Sequence, residues 1–183
     1  EKASSFLFFY AAVGIASGAW GSGRLSKRNI EFGTMPGGAF LLALSTLALG
    51  LLSHGRHPVA VPALIYLAGV GAGLFVVPLD TFLQLRLPAD RRGEGLALNS
   101  FLSWSGILLS GALMLLFHTC GVDAQSGFLL FALPAMMLAL VSFFTLKDFA
   151  FRFFTTALVK LFYQVRTIGL EHLPVSGSAL LIA

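Results

Sequence analysis

The chain has 183 residues, of which 57% are hydrophobic and 11% charged, against about a quarter charged in an ordinary soluble domain. With a mean hydropathy of +0.87, this composition excludes a water-soluble globule and makes the lipid bilayer the solvent to reason with. The net charge of +4 comes from short basic clusters between apolar runs, the pattern of juxtamembrane loops, so no nucleic-acid partner is expected. Cys120 is the only cysteine, which rules out an internal disulfide and a multi-cysteine metal site, and no cofactor is expected.

Five apolar stretches approach the roughly 20 residues that a helix needs to cross the hydrocarbon core: about Ser5 to Gly23, Gly37 to Ser53, Val59 to Leu83, Leu96 to His118 and Gly127 to Leu146. Pro36 and Pro58 fall at or before helix starts, whereas Pro62, Pro78 and Pro134 fall inside spans and are predicted to kink them. Orientation follows from the loops. Arg24, Lys27 and Arg28 follow the first span, Arg86, Arg91 and Arg92 the third, and Lys147, Arg152, Lys160 and Arg166 the fifth, while the opposite side carries Arg56 alone. The basic side is therefore expected to be cytoplasmic, and with it the C-terminus. Glu1 opens the chain without a signal-peptide pattern, and the span count is odd, so the start is expected to be a truncation with helices missing upstream.

Beyond Leu146 the character changes. Residues 147–164 mix Lys and Arg with Phe151, Phe153, Phe154 and Leu158, which predicts an amphipathic linker lying in the membrane interface. From Val165 to Ala183 a short β-type segment, a Pro/Gly turn and a small apolar strand predict the opening of a soluble α/β domain.

Asp80 is the most informative single residue. It follows Gly-Leu-Phe-Val-Val-Pro-Leu inside the third span, where a carboxylate at helix centre costs about 2.5–3.5 kcal/mol, so it is expected to avoid lipid. It reads either as a cavity-facing substrate or proton group, set opposite Asn99, Ser100 or Ser103, or as a polar residue in contact with water near the interface. Asp80, Gln84, Asn99 and Ser103 form the candidate substrate pathway. Arg24, Lys27, Arg28, Arg91 and Arg92 read as a cytoplasmic gate, or as topogenic charge alone. Gly14 and Gly18 on the first span, with Gly69, Gly71 and Gly73 on the third, predict close helix packing; Gly73 with Pro78 also fits the wall of a transport cavity. His118 and Asp123 have the spacing of an acyltransferase His-x4-Asp pair but fall in a short loop with no strand leading in, and are read as a chance match.

Residues 21–33 (Gly-Ser-Gly-Arg-Leu-Ser-Lys-Arg-Asn-Ile-Glu-Phe-Gly), 73–79 (Gly-Leu-Phe-Val-Val-Pro-Leu) and 91–101 (Arg-Arg-Gly-Glu-Gly-Leu-Ala-Leu-Asn-Ser-Phe) together resemble the lysophospholipid-transporter branch of the major facilitator superfamily. The resemblance covers residues 1–146 and implies an all-α polytopic fold in which the five spans are helices eight to twelve of twelve. The loop at 21–28 resembles the superfamily's signature between helices eight and nine, without the Asp that the signature often carries. Residues 169–183 are similar to the stretch that precedes the Asn-His-x4-Asp motif of phospholipid/glycerol acyltransferases, which implies that 165–183 begins such a domain and that its catalytic residues lie beyond Ala183. The order of the two resembles bacterial inner-membrane fusions that flip lysophospholipid inward and reacylate it. The partners so implied are lysophospholipid, membrane lipids, the upstream helices and the downstream acyltransferase domain. The alternatives are a membrane anchor for that domain and a facilitator of another small solute.

Overall fold

The structure, a computed structural model, describes residues 2–25, 33–52, 59–88, 90–148, 151 and 155, with side chains from Phe6 onward. Five helices follow one another: α1 (Lys2–Leu25), α2 (Thr34–Leu51), α3 (Ala60–Arg86), α4 (Arg92–Thr119) and α5 (Ala124–Thr145). All five are long and apolar enough to cross a membrane, and the described residues form no strand. Of the expected interfacial linker only Lys147, Asp148, Phe151 and Thr155 are described, and the expected domain opening at 165–183 lies outside the described residues.

These sequences form helices because an unpaired backbone amide in hydrocarbon costs several kcal/mol and an α-helix satisfies all but its end groups internally. The 18 residues of α2 make a rod about 27 Å long, close to the hydrocarbon thickness, whereas the 28 residues of α4 reach about 42 Å and carry Arg92 and Glu94 out to the headgroup level. Pro62 departs from expectation. It stands in the first turn of α3, where no intrahelical amide bond is due, so it starts the helix rather than kinking it. Pro78 and Pro134 do lie inside their helices.

Helix α3 is flanked by α1 and α2, α5 packs on α2, and α4 leans on α3 near the turn that joins them. Glycine makes the two flanks of α3. Gly69 and Gly73 lie one turn apart and meet α1 at Ala11, Gly14, Ile15 and Ala19, whereas Gly71 meets α2 at Gly38 and Leu42. Gly14 sits against Tyr66 and Gly69, and Gly18 against Val70 and Gly73, so α1 and α3 advance together in the same direction. Apolar association gives no gain in lipid, where the surroundings are equally apolar, and these contacts work instead through close van der Waals fit. On the other side of α2, Ala39, Ala43 and Ala139 form a fully buried cluster covered by Phe40, Phe75 and Met136, with Phe40 edge-on to Phe143 at 6.0 Å. Two polar contacts join helices as well: the Ser17 hydroxyl donates to the Tyr66 hydroxyl at 3.1 Å, and the Gln125 amide donates to the Leu52 carbonyl at 2.8 Å, capping the end of α2 from the start of α5.

A Cβ on Gly71 would lie 2.6 Å from the Leu42 nitrogen and 2.7 Å from the Gly38 oxygen, both backbone atoms, whereas one on Gly37 meets nothing within 4 Å. Gly71→Ala is therefore expected to destabilise the protein by about 1–3 kcal/mol, and Gly37→Ala to leave it within about 0.5 kcal/mol. Reversible unfolding in micelles measures both; equal effects would show that the glycine flank of α3 does not hold the bundle.

Candidate functional site

Pro78 supplies no amide hydrogen, so the helical bond to the Leu74 carbonyl is lost, and Asp80 stands two residues further on. The Thr81 hydroxyl donates to the Val77 carbonyl at 2.8 Å, adding a side-chain bond to the backbone of the same turn. Asp80 is half-buried, and its Oδ1 accepts a long hydrogen bond, 3.4 Å, from Nδ2 of Asn99 on α4. This is the one place where a charged residue type within a described span meets a polar group of another helix. The short connection between the helices sets the register: the Arg91 amide donates to the Pro88 carbonyl at 3.1 Å, and the Gly95 amide to the Arg91 carbonyl at 3.1 Å. A Cβ on Gly95 would meet the Leu87 side chain, so this glycine lets α4 turn back against the end of α3.

Not every residue of the predicted pathway joins the pair. Asn99 does, as the sequence reading placed it. Ser103, one turn along α4, is exposed and donates at 2.9 Å to the Asn99 carbonyl of its own helix, while Gln84, one turn beyond Asp80 on α3, is exposed. The pathway residues therefore form a column along the α3–α4 face, with Asp80 and Asn99 at its contact.

Of the predicted gate residues, the described Arg24, Arg91 and Arg92 lie at the same end. The Arg24 guanidinium lies 4.8 Å from the ring centre of Trp20, and that of Arg86 lies 5.4 Å from the ring centre of Phe82, each pairing with an aromatic residue one turn back on its own helix. Arg91 approaches Asp90 at 3.9 Å with both side chains exposed, a contact of little energetic weight. Arg92 is exposed in the first turn of α4, and Lys27 and Arg28 lie outside the described residues. Among the described residues, no ion pair links two helices.

Sequence reasoning missed Ser22. It is fully buried, and its hydroxyl has no hydrogen-bond partner among the described residues. The signal was present: Gly14, Gly18 and Ser22 recur every four residues, and the step that sets Gly18 against Val70 brings Ser22 level with the turn of Leu74 to Pro78.

Long apolar helices with glycine contacts, a carboxyl–amide pair between two spans and cations gathered at one end define a multi-pass membrane protein of the solute-transporter class. A family profile for the Major Facilitator Superfamily matches residues 2–111, more than half of the chain, and the chain belongs to that superfamily. The match takes in α1, α2, α3 and most of α4. No curated protein and no solved structure matches the chain. Membership assigns it the membrane transport of a small solute.

The pair's contribution is measurable without a substrate. A double-mutant cycle of Asp80→Ala and Asn99→Ala, read by unfolding in micelles, is expected to give a coupling of about 0.6–1.7 kcal/mol, the range of hydrogen bonds between membrane helices. Additive single effects would mean that the two side chains do not hold α4 to α3.

Proposed function

We propose that the solute is a lysophospholipid, moved inward across a bacterial inner membrane, and that Asp80, Gln84, Asn99 and Ser103 line its path on the basic side. The observation that carries the path is the Asp80–Asn99 contact between two apolar spans. A carboxyl group at that depth is costly unless it serves a partner, and its partner among the described residues is a single amide at 3.4 Å, which leaves capacity for a solute's donors. The substrate class rests on the resemblance of residues 21–33, 73–79 and 91–101 to lysophospholipid transporters. Arg24, Lys27, Arg28, Arg91 and Arg92 act as the gate on the cytoplasmic side, where basic residues accumulate. In the parent protein, transport is coupled to reacylation by a domain that begins at 165–183, an assignment carried by the similarity of residues 169–183 to acyltransferases.

Uptake of labelled lysophosphatidylethanolamine into cells lacking other importers tests this, with the full chain and its variants at equal membrane abundance. Asp80→Ala and Asn99→Ala are each expected to lower uptake about tenfold, the loss that corresponds to about 1.4 kcal/mol. Unchanged uptake in both variants would remove these residues from the path. A parent protein that moves another small solute and no lysophospholipid would overturn the substrate, and one that moves nothing while its downstream domain acylates would leave the spans as an anchor.

A further inference from the structure

At the end of the bundle opposite Asp80, the hairpin between α4 and α5 encloses a recess of about 260 Å³. Its depth is apolar, made by Met114, Phe117, Phe128 and Phe131, with Phe117 and Phe131 in ring contact at 5.8 Å. His118 and Asp123, the pair whose spacing had suggested chance, stand together at its lip.

The hairpin turn builds this arrangement. Gly121 has a φ of +69°, the left-handed conformation that glycine adopts without strain. The Gly121 amide donates to the His118 carbonyl at 3.2 Å and the Val122 amide to the Phe117 carbonyl at 2.9 Å, the paired bonds of a Schellman motif. That motif closes α4 and delivers Asp123 to the cap position of α5. Asp123 does not pair with His118. Its Oδ1 accepts the Ser126 hydroxyl at 2.6 Å, and this bond is the main reason that its carboxyl lies below the ordinary aspartate range. An ionised aspartate therefore stands on the wall of an aromatic recess. The recess lies within the last turns of α4 and the first turns of α5, at about the depth where headgroups give way to acyl chains.

We propose that this recess binds the ammonium headgroup of a single-chain lipid from the membrane leaflet opposite the basic loops, with Asp123 as counter-charge and Phe117 and Phe131 as the apolar and π-face walls. Charge complementarity selects this occupant. Asp123 is anionic, no Lys or Arg among the described residues lines the recess, and phenylalanine faces attract quaternary and primary ammonium groups. The volume admits a small headgroup and the first part of one chain. Arg56 lies outside the described residues, and Lys2 stands on the same membrane side at the start of α1. The site stands apart from the α3–α4 pair and does not depend on a lysophospholipid being the transported solute.

The test is equilibrium binding to the full chain in maltoside micelles by native mass spectrometry, comparing lysophosphatidylcholine with lysophosphatidylglycerol. The two share chain and phosphate and differ in the ammonium. The parent is expected to bind the choline lipid about tenfold more tightly. Asp123→Asn, which removes the charge but keeps an acceptor for the Ser126 hydroxyl, is expected to abolish that preference, and Phe131→Leu to weaken the choline lipid while leaving the glycerol lipid nearly unchanged. Equal binding of the two lipids by the parent overturns the proposal, as does a preference that survives Asp123→Asn. Because no transport is read, failure here leaves the solute path standing, and failed uptake with intact binding would leave the recess standing.

Discussion

Everything in this bundle depends on how closely three helices approach one another along α3. In lipid, helices gain little from burying apolar surface, because the alternative surroundings are hydrocarbon too. What favours contact is close fit, and glycine supplies it on both flanks of α3, with Gly69 and Gly73 toward α1 and Gly71 toward α2. Residues two apart on a helix point to nearly opposite sides, and residues four apart to the same side, so three alternate glycines serve two neighbours at once. The same helix then carries Pro78, which is fully buried, at the point where the glycine contacts end. Backbone hydrogen bonding is weakest at that turn, and the buried Ser22 hydroxyl lies level with it without a partner among the described residues. Tight packing and a locally weakened helix thus follow each other along one rod.

That sequence of properties explains where the polar pair sits. Asp80 comes directly after the proline turn, on the part of α3 that the glycines no longer hold against its neighbours, and it meets α4, the helix with the least support. No residue of α4 is buried, and its large apolar side chains, Phe101 and Trp104 among them, are exposed along its length. Helix α4 is positioned by a short turn, by Gly95 against Leu87, by one amide–carboxyl contact and, at its far end, by the Phe117–Phe131 ring contact with α5. A helix held by few and partly polar contacts has a low cost of displacement. The least supported helix thus stands beside the carboxyl–amide pair.

The existence and extent of the five spans were legible because each property that defines them, apolar length, glycine content and flanking charge, is written in consecutive residues. Their ends were less legible. Helix α4 begins at Arg92 rather than near Leu96, because hydropathy marks the hydrocarbon slab whereas helical hydrogen bonding continues through Arg-Gly-Glu-Gly into the headgroup region. Pro62 was misread for a related reason: whether a proline kinks or starts a helix depends on its distance from the cap, and Val59 gives no capping signal. Asn99 opposite Asp80 was legible, since a hairpin of two antiparallel helices brings residues about equally far from the turn to one level. Ser22 was legible only as the third member of the Gly14–Gly18–Ser22 repeat, because the contacts that bury it come from α3, far along the chain. The recess at the α4–α5 turn is hidden for another reason. The His118–Asp123 spacing points to a catalytic motif, whereas the physical signal is Gly121, which permits the turn that sets both residues on the wall of one recess.

The two ends of the bundle differ in a way that no single residue reveals. At one end α1 and α3, which run in the same direction, each finish with an aromatic residue followed one turn later by an arginine stacked on it, Trp20 with Arg24 and Phe82 with Arg86. An aromatic ring at the interface with a guanidinium above it fixes a helix in depth, because the ring prefers the acyl boundary and the cation the phosphates. At the other end the described side chains offer a carboxylate over phenylalanines and no cation. The described side chains at the two ends thus differ in the charge they present, stacked guanidinium groups at one and a carboxylate at the other, because each end is built from a different pair of helix termini.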